Sequence, residues 1–335
     1  MCSRLGLSPG DGDADSGFST GRMNTDVQIG FIKANTIEPS RLTGLLRDSV
    51  TSFNTPLLNA LLDWGVPLTD TFERQKALLH LCAKIPDHGL AAHEFAPRLL
   101  ELGAYLDAPD EDGITPWMDA VLNRKWDLTD FLLKKGAQPL STDKEGFNVL
   151  GLCIKTINLG SVKFLFKYCA ERNQFHQASF LVNKEKQISA LQLAAGLPLP
   201  RAHAMKIEVI GLFLTILRYL GQTPSQLHFR SDGILPNANA LDIAASTGNV
   251  HAVKNLAKKG AHRPAGSRAS AIKLVQNKLA QTDGCMQRKN LERCAFIIEK
   301  WDEEGAGARR VVDDWTNMRT IDESRVNSSW ETAGI

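Results

Sequence analysis

One spacing limits this 335-residue chain more than any other feature: Gly103, Gly136 and Cys169 follow one another at steps of 33 residues, and Gly113 and Gly146 are again 33 apart. A period of roughly 20 to 50 residues means that one supersecondary unit is copied along the chain. Each copy leaves an apolar face that only its neighbours can cover, so the units must stack. Apolar stretches ending Phe131-Leu132-Leu133 and Leu165-Phe166 precede these landmarks, and from Pro39 onward the apolar residues recur at helical spacing. With 43% hydrophobic and 23% charged residues, the composition is that of an ordinary water-soluble chain able to bury a long core.

The unit is clearest from Asp110 to Ala137. It opens Asp110-Glu111-Asp112-Gly113-Ile114-Thr115-Pro116-Trp117 and closes Phe131-Leu132-Leu133-Lys134-Lys135-Gly136-Ala137. The next opens Asp143-Lys144-Glu145-Gly146-Phe147-Asn148 and closes Leu165-Phe166-Lys167-Tyr168-Cys169. Asn239-Ala240-Leu241 through Gly260-Ala261 keeps most of the pattern, and Ala77 to Ala83 with Leu99 to Ala104 gives an earlier unit. Gly65 to Gly103 is 38 residues, five more than the period, and residues 41–50 and 56–64 make the first helix pair. The interval from Cys169 to Gly221 is 52 residues and holds the unit at Ser189-Ala190-Leu191, with insertions at 171–186 and around Pro198-Leu199-Pro200.

These strings resemble the ankyrin repeat, whose pattern runs D-x-x-G-x-T-P-L-H-x-A-A and ends L-L-x-x-G-A. The resemblance covers about two thirds of the chain and implies an all-α, ankyrin-type helical solenoid of about six irregular units over residues 37–263. Most units lack Thr-Pro, which removes the hydroxyl and the rigid first-turn proline and implies less regular hairpins. His80 occupies the family's structural histidine position, and Trp117, at its Leu position, is expected in the core.

Beyond Pro264 the period stops, but Ile272, Val275 and Leu279, then Leu291, Cys294 and Ile298, keep helical spacing. Residues 268–282 and 288–303 are therefore expected to form a helical cap, within a segment 264–303. Residues 1–36, rich in Gly, Ser and Asp, and 304–335, without period, are expected to be disordered. Six cysteines without a C-x-x-C pair, no signal-peptide core and no long apolar span point to reduced thiols in the cytoplasm or nucleus and to no membrane span. Cys82 and Cys153 fall at alanine positions of the repeat and are expected to be buried and inert, as is Cys294; Cys169 should be more accessible, and Cys2 should react freely.

Nothing in the sequence nominates a catalytic centre: no phosphate-binding glycine loop, zinc-protease or hydrolase string occurs, and no enzyme activity, cofactor or metal is expected. Cys82, His88 and His93 lack the second ligand pair of a zinc site. The resemblance implies a protein-interaction scaffold, monomeric by itself, that recognises one or more proteins on its hairpin tips and inner helices. Ile114 and Phe147 fill the slot between the Gly and Thr positions on neighbouring hairpins, and serve either as apolar anchors for a partner or as packing between hairpins. Glu111, Asp112, Lys144 and Glu145 rim them, and Asn123 and Lys155 hold equivalent inner-helix positions. The whole chain carries a net charge of +2, but residues 254–300 hold eleven Lys and Arg against three acids. That patch offers an alternative, binding to nucleic acid or another anionic surface, although no interleaved aromatics favour nucleic acid. A further alternative is a regulatory enzyme subunit whose insertions build a pocket.

Overall fold

The structure, a computed structural model, describes residues 39–52, 54–64, 78–85, 91–172, 181–198, 203–220, 224–261 and 266–300. The expected disordered arm and tail, together with His88 and Cys2, lie outside the described residues.

Helices follow one another in hairpins along the chain. The first pair is α1 (Pro39–Thr51) and α2 (Thr55–Asp63); the second is α3 (Leu78–Cys82) and a π-helical turn, Ala91–Phe95, that runs into α4 (Ala96–Glu101). Then come α5 (Pro116–Leu122) with α6 (Trp126–Lys134), and α7 (Val149–Lys155) with α8 (Leu159–Arg172). A two-stranded hairpin, β1 (Leu181–Asn183) and β2 (Ile188–Ser189), leads into α9 (Ala190–Ala195) and the long α10 (His203–Leu220). After the short α11 (Pro224–Leu227), α12 (Ala240–Thr247) pairs with α13 (Val250–Lys258), and α14 (Ser267–Ala280) with α15 (Cys285–Lys300). The strands are the departure from a purely helical chain. They pair antiparallel, Leu181 with Ser189 and Asn183 with Ile188, at the hairpin of the unit that carries the insertion.

The short inner helices α5, α7, α9 and α12 start where a side chain satisfies their first free N–H groups. The Thr115 hydroxyl accepts from the Met118 N–H, and Pro116 opens the first turn. In three units without Thr-Pro another side chain takes over the cap. Asn148 accepts from the Gly151 N–H at 3.0 Å, Ser189 from Gln192 at 3.1 Å and Asn239 from Asp242 at 2.9 Å. Asn and Ser cap as well as Thr does, so the family string can decay while its physical role survives. At the far end of an outer helix, Gly136 adopts φ 99° and lets the Ala137 N–H return to the Leu132 carbonyl at 3.0 Å, the left-handed helix stop that favours glycine.

The stack closes one continuous core. Leu128 and Leu132 of α6, Val162 and Leu165 of α8, Leu212 and Ile216 of α10, Val253 and Leu256 of α13, and Val275 and Leu291 of the last pair are all buried in it. Trp117 is buried there as expected. The last pair begins close to the sequence estimate for its first helix and three residues earlier for its second; α14 packs on α12, and α15 on α12 and α13. Burying a Leu or Val contributes about 1.5–3 kcal/mol, whereas a typical internal hydrogen bond adds about 1. Apolar burial therefore holds the units together, and the polar contacts between hairpins set their register.

Candidate binding surface

Each hairpin tip is a small built object. The carboxylate of Asp110 accepts from the N–H groups of Asp112 (3.0 Å) and Ile114 (2.9 Å), and Asp143 accepts from the Phe147 N–H at 2.7 Å. Gly113 turns at φ 83°, and a Cβ there would lie 2.7 Å from the Lys144 nitrogen, so no side chain fits. Successive tips are hydrogen-bonded to one another: Lys144 N–H to the Asp112 carbonyl, and Asn148 N–H to the Val182 carbonyl, both at 2.9 Å. Inner helices then lock onto the following tip. His80 Nε2 donates to the Ile114 carbonyl at 2.9 Å, and 112 residues later Gln192, in the same slot, donates to the Ala238 carbonyl at 2.8 Å. Capped helix hairpins at this period, joined tip to tip and in some units locked by a polar side chain, decide the architecture.

The fold is of the ankyrin type.

Within the ankyrin stack, the residues singled out from sequence fall into different environments. Phe147 is only 6% exposed, which removes it as an apolar fingertip open to a partner. Its slot exists because Gly151, at the position where His80 and Gln192 stand in other units, has no side chain: a Cβ there would lie 2.9 Å from the Phe147 ring and 3.1 Å from Val182. Ile114 is half-buried against the core. Phe147 therefore packs between hairpins, whereas Ile114 rests on the core and keeps part of its surface exposed.

The polar members do face outward. Glu111, Asp112 and Lys144 are exposed. Lys155 lies 4.5 Å from the centroid of the Phe147 ring and bonds Glu145 at 2.8 Å, and Lys186 reaches over the same ring at 5.8 Å. The Lys155 hydrogen bond and charge, helped by Lys186, hold the Glu145 carboxyl below its ordinary range. Asn123 ends α5, its amide donating to the Asp119 carbonyl (2.8 Å) and carboxylate (2.9 Å). Two positive side chains thus lie over a buried ring and flank one carboxylate, a ridge suited to polar recognition.

A groove further along the stack escaped the sequence reading. It has a volume of about 520 Å³ and is lined by Ile234 and Leu235 of a long hairpin tip, Ile243, Ser246 and Thr247 of α12, Leu274, Asn277 and Lys278 of α14, Gln281 at that helix's end, and by Gly196, Pro198 and Gln287. Its size is that of a small ligand or short peptide site. The floor is apolar and the rim carries amides and hydroxyls; Lys278 is the single charged lining residue. The spacing 243, 246, 247 and 274, 277, 278, 281 was a signal open to view, since residues three and four apart share one helix face. Gly233 lets the same tip approach the turn between β1 and β2: a side chain there would overlap the Lys186 carbonyl.

Of the basic segment 254–300, Lys254 is buried, Lys258, Lys259, Lys273, Lys278, Arg288, Lys289 and Lys300 are exposed, and Arg288 pairs with Glu292 at 3.4 Å. Cys82, Cys153 and Cys294 are buried free thiols. Burial pushes the first two up to about 12, and Cys294 higher still. The Cys169 side chain lies outside the described residues. Among the described residues no group of three His, Cys, Asp or Glu is placed to hold a metal ion, and no helix is long and apolar enough to cross a membrane.

No protein-family model matches the chain, and no curated protein matches it. Among solved structures it is similar to the ankyrin repeat domain of Bcl-3, described as a unique member of the IκB protein family. Identity is 18%, the match covers 64% of this chain and 86% of that one, and the TM-score is 0.47. At that level the likeness carries nothing about function.

Proposed function

We propose that this chain is a non-catalytic interaction scaffold that binds a protein partner along the concave side of the stack. The observation that carries the reading is the groove over α12 and α14, where an apolar floor meets a rim of Ser246, Thr247, Asn277, Gln281 and Gln287. Apolar side chains seat on such a floor while rim amides and hydroxyls satisfy a peptide backbone, the combination that partner recognition needs. The ridge formed by Glu111, Asp112, Lys144, Lys155 and Asn123 extends the surface along the earlier units, with Phe147 holding its hairpins in register rather than touching the partner. Capture of partners from native cells by the full chain, compared with Ile234→Asp and with Lys144→Glu, tests this reading. The groove variant is expected to lose its specific partners at unchanged thermal stability; an unchanged set of partners for both variants overturns it.

A further inference from the structure

The groove over α12 and α14 has a chemical preference that its lining states. Its floor offers Ile234, Leu235, Ile243 and Leu274; its one charged lining residue is Lys278, and no carboxylate lines it. Asp232, on the same hairpin tip, accepts from the Asn237 N–H at 2.7 Å. Residues 254–300, which supply Lys278 and four other lining residues, hold eleven Lys and Arg against three acids. An occupant should therefore combine a few apolar side chains with adjacent carboxylates.

The chain itself contains such a segment. Residues 302–335 hold eight acids against four Arg, the opposite balance to the cap, and Val311, Val312, Asp313, Asp314 and Trp315 place two carboxylates between an apolar pair and a large ring. Reach is sufficient. Gln287, which lines the groove, lies 13 residues before the helix end at Lys300, about 20 Å along the helix at about 1.5 Å per residue. The ten residues 301–310 extend to as much as about 33–36 Å. Tethering also raises the local concentration of such a segment to the order of millimolar, so a contact too weak for a free peptide is populated within one chain.

We infer that the groove takes the chain's own segment Val311, Val312, Asp313, Asp314 and Trp315, with the valines and the indole on the apolar floor and the aspartates facing Lys278. The segment then competes with any partner for the same surface and acts as a built-in inhibitor. This goes beyond the scaffold reading, and its test contains no partner, so its failure leaves partner capture untouched.

The test is chymotrypsin cleavage after Trp315 in the purified full-length protein, expressed as protection relative to a synthetic peptide of residues 301–335 carrying the same substitutions. Wild type is expected to show protection of about tenfold or more, independent of protein concentration. Lys278→Glu, on an exposed side chain, and Ile234→Asp should each bring the ratio close to one with the thermal melt unchanged. Lys278→Glu combined with Asp313→Lys and Asp314→Lys should restore protection. The inference is overturned if the wild-type chain is cut as fast as the peptide, if protection is insensitive to Lys278→Glu, or if protection rises with protein concentration, which assigns the groove to a second copy.

Discussion

Phe147 and Gly151 form a single packing device: the ring occupies the volume that a side chain at 151 would fill. Phe147→Ala is therefore expected to destabilise the fold by about 3–5 kcal/mol in urea unfolding, the range for removing a buried aromatic, rather than to remove a contact with a partner. Gly151→Ala should cost about 1–3 kcal/mol by overpacking, and the two changes together should be far from additive because they share one space. If Phe147→Ala leaves the urea midpoint unmoved, the ring is not the core element described. The thiols give a second readout at this scale. Cys82, Cys153 and Cys294 are buried, and desolvation holds them protonated far above neutral pH, whereas the thiolate is the reactive form. Native protein at pH 7.5 should modify none of the three until it unfolds; rapid native labelling of Cys82 or Cys153 would contradict their place in the core.

At the level of helices and hairpins, the joint between the long tip and the last pair differs from the others because it is ionic. Asp242, fully buried, fills the slot held by His80 and Gln192; its carboxylate pairs with Arg230 at 3.0 Å and accepts from the Asn239 N–H at 3.1 Å. Arg230 also donates to the Asn237 carbonyl at 2.6 Å and to the Ser267 hydroxyl of α14 at 3.4 Å. Desolvation raises the Asp242 carboxyl above its ordinary range, with the Asn239 N–H and Arg230 opposing it. A group whose folded pKa is raised contributes stability that is full below the unfolded pKa, near 4, and lost as pH rises through the folded value. The stability of wild type relative to Asp242→Asn, read from paired urea curves, should therefore increase as pH falls from 7 toward 4; a difference that stays flat or moves the other way would reverse that sign. The ankyrin string announced the helix hairpins but not this joint. Asp242 reads in the sequence as an ordinary helix-start acid, and its partner Arg230 stands twelve residues earlier in a tip whose path the 33-residue period does not describe.

For the whole molecule, the period made the stack legible from the spacing of Gly103, Gly136 and Cys169, while the binding surface was legible only in part. Ile114 and Phe147 drew attention because they are apolar at tip positions, yet whether a tip side chain points out or in depends on a residue in the next helix, Gly151. The groove was missed because Leu274, Asn277, Lys278, Gln281 and Gln287 in its lining come from the last pair, outside the repeated pattern. Because α14 and α15 cover buried residues of α12 and α13, Leu291→Asp is expected to expose that apolar side and produce aggregation or a loss of cooperative unfolding; a soluble variant melting as wild type would show that the last pair is not a cap. The slot is held by His80, Met118, Gly151, Gln192 and Asp242 in turn, and what meets it changes along the stack: a backbone carbonyl for His80 and Gln192, the Phe147 ring beside Gly151, and Arg230 for Asp242. The units are for that reason not interchangeable. A transplanted or duplicated unit would bring a lock without its key, so this chain can be lengthened or rearranged only by moving a joint whole, half from each of two neighbours.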